Sequence, residues 1–300
     1  MNLIQPTTDH ALNQAPETPS IPEQSPEPSP TPETIKPAPE TPKKDYALIT
    51  GASSGIGQAF ARILAAKKKP LILIGQNEER LKAIAGELRA KEGIDVRFLP
   101  INLARSKDLP NLPGKLQRMG INIDILINNA GFGKYNLETD IKYEDALNMI
   151  NLNCRSTLAL IKLFLPEMIK RHKGAIINIA SLAGFFPVPM MATYSASKAF
   201  VINYSQALAK EVKPYGIKIL CSCPGPTSTN FYKTAGINTS EHNELKDLSD
   251  PQTVAEQTIE ALKQGKELVI TGKIPFWLKL APKIFPQSIL NYLGSNFLQR

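Results

Sequence analysis

The chain has 300 residues and a net charge of +8, and 42% of its residues are hydrophobic. Its lysines are scattered rather than interleaved with aromatics in one patch, which argues against nucleic-acid binding. No run approaches the ~20 apolar residues that span a bilayer; the N-terminus has neither a secretory core nor a transit pattern; and Cys154, Cys221 and Cys223 lack metal-ligand spacing, so a cytoplasmic protein without metal or structural disulfides is expected.

Residues 1–44 differ in composition from the rest. Eleven of the 25 prolines precede Lys43, and this segment carries a net −3 against +11 for the remainder. Its apolar residues are too few to offset the entropy of ordering, so it is expected to be a disordered, Pro-rich tail. From there, short apolar runs alternate with helical patterns. ALIT (Ala47–Thr50) predicts a strand and Ile56–Lys68 a helix. LILIG (Leu71–Gly75) predicts a buried strand, followed by a charged helix over Glu78–Glu92. VRFLPI (Val96–Ile101) and DILIN (Asp124–Asn128) predict the third and fourth strands. Tyr143–Lys170 predicts a long helical stretch with a break near its start. AIINIA (Ala175–Ala180) is the fifth strand, Thr193–Lys213 a helix and IKILCS (Ile217–Ser222) the sixth strand. Asp250 and Pro251 form an N-cap and first helical position, starting a helix to about Gln264. ELVIT (Glu267–Thr271) is the last strand. Strands that are apolar throughout are buried on both faces. Their alternation with helices predicts an α/β fold, one doubly wound parallel sheet with helices on both faces, over residues 45–272. Residues 273–300 form a basic, aromatic-rich extension interrupted by prolines.

Chemistry is concentrated in a few motifs. TGASSGIG (Thr50–Gly57) joins the first strand to the first helix. Gly51 suits a tight turn, Gly55 a close approach of backbone to a pyrophosphate, and Gly57 close packing of helix on sheet. Phosphates would sit at the helix N-terminus, around Ser53, Ser54, Gly55 and Ile56. Tyr194 precedes Lys198 by one helical turn, so both lie on one face. A lysine charge at roughly 4 Å favours a phenolate by up to about 4 kcal/mol, which tunes a tyrosine for proton transfer near neutral pH. Ser181 lies upstream of the tyrosine, in the turn after the fifth strand.

TGASSGIG, NNAG (Asn128–Gly131), Asn153, Ser181, YSASK and PGPTST (Pro224–Thr229), in this order, resemble the classical short-chain dehydrogenase/reductases over roughly Asp45–Thr271. That resemblance implies a single Rossmann-like domain binding NADP or NAD, and reversible hydride transfer between the nicotinamide and a carbonyl or secondary alcohol. It implies Tyr194 as general acid/base and Lys198 as the group that lowers its pKa and holds the nicotinamide ribose. Ser181 would hydrogen-bond the substrate oxygen and Asn153 would hold a water in the proton relay. Asn128, Asn129, Ala130 and Gly131 would let the cofactor lie against backbone. Pro224, Gly225, Thr227 and Thr229 would cover the nicotinamide side, and Asn102 with Leu103 would reach the adenine. A homodimer or homotetramer is also implied.

At the end of the second strand, an acidic residue for the ribose of NAD and an arginine for the phosphate of NADP are both replaced by Gln76. With Asn77, Ser53 and Ser54 able to bind a phosphate, NADP is the preferred expectation. Phe185–Met191, Phe132 and Phe231 predict an apolar carbonyl or alcohol as substrate, with Phe231–Leu248 as a lid. The 273–300 extension is a candidate for peripheral membrane contact. The competing reading is a cofactor-binding regulatory or scaffold protein on the same fold.

Overall fold

The computed structural model describes residues 43–105, 107, 109–238, 245, 247–274 and 288. The Pro-rich tail up to residue 42, most of the 273–300 extension and residues 239–244 and 246 of the expected lid lie outside the described residues.

Seven parallel strands form one sheet: β1 (Lys44–Thr50), β2 (Leu71–Gly75), β3 (Val96–Pro100), β4 (Ile121–Asn128), β5 (Ala175–Ile179), β6 (Lys218–Pro224) and β7 (Leu268–Thr271). Their spatial order is β3-β2-β1-β4-β5-β6-β7. The order reverses between β1 and β4, and the crevice at the strand C-termini there is where a doubly wound sheet binds ligands.

Among the described residues the α-helices are α1 (Gly55–Ala66), α2 (Glu78–Glu92), α3 (Leu112–Arg118), α4 (Tyr143–Ile150), α5 (Ser156–Lys170), α6 (Ala192–Val212), α7 (Phe231–Ala235) and α8 (Pro251–Lys263). Alternate side chains of each strand face opposite layers. Leu48, Ile72, Ile74, Leu126 and Ile176 pack with Leu160, Phe164 and Leu208 of α5 and α6. Ile49, Leu71, Leu73, Ile127 and Ile177 pack with Phe60, Leu81, Ile84 and Ile259 of α1, α2 and α8. The doubly wound fold expected from the sequence is therefore present. Cys221 and Cys223 are buried in β6 like small hydrophobes, and all three cysteines are free thiols.

The differences from expectation have local causes. Strand β4 starts three residues early because Ile121–Ile123 pairs with Lys44–Tyr46, past a register shift at Tyr46/Ala47. The polar Asn122 hides this start, and Asp124 is paired with Lys69 at 2.6 Å. The expected break after Tyr143 is a π-helical turn, Asn151–Arg155, that joins α4 to α5. Such wide turns recur at functional sites, and this one contains the buried Asn153.

Candidate active site

The glycine turn leaves β1 with Gly51 at φ +64° and Gly55 at φ +55°, a backbone region that favours glycine. A Cβ on Gly57 would overlap the Gly51 carbonyl, so α1 sits as close to the turn as a glycine permits. Thr50 is the hub beneath. Its hydroxyl accepts from the backbone N–H of Asn129 and of Ala130, each at 2.9 Å, and reaches the Ile127 carbonyl at 3.3 Å. The Asn129 amide donates back to the Thr50 carbonyl at 2.9 Å. The first turn and the NNAG segment are thus locked together across the point where strand order reverses.

Above this junction lies a cleft of ≈ 290 Å³. Gly51, Ser53, Ser54, Gly55, Ile56, Asn129, Ala130 and Gly131 line it, as do Ser181, Tyr194, Lys198, Pro224, Gly225, Thr227 and Thr229. The structure thereby brings together most of the residues singled out from the sequence. Others lie outside the lining. Asn128 is buried within the sheet, donating to Asn178 Oδ1 at 2.9 Å, and Asn178 donates in turn to the Ser205 hydroxyl at 2.9 Å. Leu103 packs into the core. Gln76 reaches Asn102 Oδ1 at 3.3 Å over the end of β2, and Asn77 caps α2 by accepting from the Arg80 N–H at 2.8 Å.

Helix α6 carries Tyr194 and Lys198 into the cleft, and both are buried. Lys198 Nζ donates to the Ile179 carbonyl at 2.9 Å, at the end of β5, and lies 5.8 Å from the Tyr194 ring centroid. Ser181 follows β5 and caps a 3₁₀ turn, its hydroxyl accepting from the Ala183 N–H at 3.2 Å. Asn153 braces this group. Its amide donates to the Phe132 carbonyl at 3.0 Å and the Ser197 hydroxyl at 2.9 Å, and its Oδ1 accepts from the Phe132 N–H at 3.1 Å. Gly131 separates Asn153 from Lys198 so narrowly that a Cβ there would lie 3.0 Å from Asn153 Oδ1 and 3.2 Å from Lys198 Nζ.

The electrostatics differ from the simple tyrosine–lysine argument. Burial pushes the Tyr194 phenol up to about 12, and the nearby Ser181 hydroxyl opposes this. Burial pulls Lys198 down to about 8. Removal from water dominates the shift of each group. In the protein alone, the phenol is therefore held in its proton-bearing form.

One end of the cleft is apolar. Phe132, Leu182, Met191, Phe231, Ile237 and Leu245 line it, and the Phe231 ring lies 5.1 Å from the Tyr194 ring. Sequence reading anticipated Phe132, Met191 and Phe231. It placed Tyr232, Ile237 and Leu245 only within the expected lid, since no local pattern distinguishes them from ordinary loop residues. It also missed Thr50 and Ser197 as braces, since their roles depend on partners 44 to 80 positions away.

A family model described as short chain dehydrogenase matches residues 45–239. A very-long-chain 3-oxoacyl-CoA reductase from Pyrenophora tritici-repentis is 38% identical over 185 residues, which cover 60% of this chain and 54% of that protein. The chain thus spans about half the length of that relative. Among solved structures, a short-chain dehydrogenase from Sphingobium yanoikuyae in complex with NADPH is 32% identical, with 76% of this chain and 87% of that one covered and a TM-score of 0.70. A bulky-bulky ketone specific alcohol dehydrogenase from Comamonas testosteroni is 28% identical, with 77% and 86% covered and a TM-score of 0.66.

Proposed function

The chain belongs to the short-chain dehydrogenase family, which uses NAD(P) in oxidoreduction, and from that premise we propose that it is an NADP-dependent reductase of bulky apolar ketones. The observation that carries this reading is the buried, proton-bearing Tyr194 beside Ser181 and Lys198, in a cleft with one apolar end. The names of the two solved relatives, one bound to NADPH and one specific for bulky ketones, support it.

The residues present fit a dinucleotide. The glycine turn offers backbone at the N-terminus of α1, where phosphate is favoured. Lys198 uses one of its three donors on the Ile179 carbonyl, which leaves two for ribose hydroxyls. At the end of β2, Gln76 presents an amide where a carboxylate would repel a ribose phosphate. The Ser53 hydroxyl stands close by, 3.4 Å from where a Cβ on Gly75 would be.

When bound, the nicotinamide supplies the hydride. Tyr194 gives its phenolic proton to the substrate oxygen. Ser181 donates a hydrogen bond to the same oxygen as negative charge builds there. The Lys198 charge stabilises the phenolate left behind. Asn153 fixes the Phe132 backbone and Ser197, and so sets the distance between the NNAG segment and α6. At neutral pH the phenol carries its proton, as the reduction step requires of it at the start.

The exposed Tyr143, Leu147 and Ile150 on α4, with Phe200 on α6, form an apolar surface suited to a second copy of the chain. The basic, aromatic-rich residues 273–300 supply a sequence suited to a membrane surface; co-sedimentation with anionic liposomes tests that role.

Oxidation of NADPH and NADH in parallel against a panel of apolar ketones and aldehydes tests the main reading. The expected result is turnover of dialkyl ketones with NADPH preferred. Turnover confined to small polar sugars would overturn the substrate class, and a preference for NADH would overturn the cofactor assignment.

A further inference from the structure

Tyr232 lies on α7, the short helix after the PGPTST segment, and lines the same cleft as Tyr194. Its ring meets Phe231 edge-on, with centroids 5.6 Å apart, and Phe231 in turn stands 5.1 Å from Tyr194. The three rings form a continuous aromatic wall. Tyr232 adds a hydroxyl to it. The Thr227 backbone steadies that phenol oxygen, and Tyr194 is close enough to act on it electrostatically. Apolar side chains, Phe132, Met191, Phe231, Ile237 and Leu245, line the cleft here, beside the polar Thr229, Asn230 and Thr234. Among the described residues, the Tyr232 hydroxyl donates to no protein acceptor. Tyr232 is half-buried, so its O–H is left available to a ligand in the cleft.

Given the ketone-reductase reading above, the reacting oxygen is already served by Ser181 and Tyr194. A further donor on a separate element suits a different oxygen of the substrate. We infer that Tyr232 is a specificity-determining residue whose hydroxyl binds a second oxygen of the substrate, so that the preferred ketones carry another carbonyl or ester oxygen. A site built to hydrogen-bond a substrate polar group discriminates against analogues that lack it, because its own donor is then left unpaired. The apolar wall alone discriminates only by size.

The test is Tyr232→Phe, assayed with NADPH against a β-keto ester and a dialkyl ketone of matched length. For the β-keto ester, kcat/KM is expected to fall about tenfold through KM, the loss of one neutral hydrogen bond. For the dialkyl ketone it should hold or rise. NADPH affinity and the pH profile of kcat should not move. Equal losses on both ketones, or a shifted pH profile with both, would overturn the assignment and make Tyr232 a structural or titrating neighbour of Tyr194. No effect on either ketone would overturn it as well. If the unaltered chain reduces neither ketone while still binding NADPH, the ketone-reductase reading itself fails, and this assignment fails with it.

Discussion

The two ends of the cleft are built on different principles. The nucleotide end is held by backbone and by a few polar hubs: Gly51 and Gly55 at positive φ, and Thr50 and Asn129 bonding each other's segments. The substrate end is held by side-chain packing. Phe186, Val188, Met191, Tyr194, Ala235, Ile237 and Leu245 form one apolar cluster. Backbone contacts join its loops at Tyr135 to Ala235 and Asn136 to Met190, each at 2.9 Å. Backbone hubs admit few residue types, whereas packed clusters accept many apolar residues of similar volume. A shared cofactor and a divergent substrate are what such a division produces.

Tyr194 sits where the two ends meet, and its loss should have the largest effect. Tyr194→Phe removes the proposed proton donor while leaving the ring against Phe231. Turnover of apolar ketones should fall by about 10²–10⁴-fold, the usual span for a general acid. NADPH affinity should change little, because Lys198 and the glycine turn are untouched. Stopped-flow hydride transfer with a fluorescence titration of NADPH separates the two. Retained turnover would move the proton donor elsewhere.

Paired variants separate the two ends of the cleft. Thr50→Val keeps the side-chain shape but leaves the Asn129 and Ala130 N–H groups without their acceptor. Each unsatisfied amide costs about 1–3 kcal/mol, and the denaturation midpoint should fall accordingly, with weakened NADPH binding. Phe231→Leu at the other end is a change of volume within a packed cluster and should cost less than about 1.5 kcal/mol. Its effect should appear instead as a reordered ranking of ketones. Equal stability losses, or an unchanged ranking, would break the division drawn here.

Much of this was legible in the sequence because its physics is local. Apolar runs such as LILIG and the Asp250–Pro251 helix start act over a few residues, and the strands and most helices follow them. The glycine turn and the one-turn spacing of Tyr194 and Lys198 are local in the same way. The protonation of that pair was not legible, since burial depends on the whole fold, and in the protein alone burial raises the Tyr194 pKa. Asn128 belongs to the NNAG motif yet faces Asn178 and Ser205, partners 50 and 77 positions on. Tyr232 follows a lone Phe231 in a polar stretch, and only α7 turns it into the cleft.

The smallest of these effects has the most distinctive signature. Burial lowers Lys198 from 10.5 to about 8 in the protein without cofactor. Below about 8 the ammonium carries its charge and can donate to ribose hydroxyls while attracting the phosphates. As pH rises through 8 that charge is lost, so NADPH affinity should decline by up to about tenfold per pH unit until the pKa of the complex is reached. Stability should move the opposite way. Between about 8 and 10.5 the unfolded chain holds the lysine proton more tightly than the folded one, so the cofactor-free protein gains stability with rising pH across that window. Tyr194 reverses the trend only above its unfolded value of 10, where the unfolded phenol ionises first. Lys198→Met should flatten both curves, whereas an adverse effect of alkali on the protein as a whole would lower affinity and stability together. Fluorescence titrations and denaturant midpoints across this range, for the unaltered chain and the variant, therefore locate the proton on Lys198 without relying on turnover.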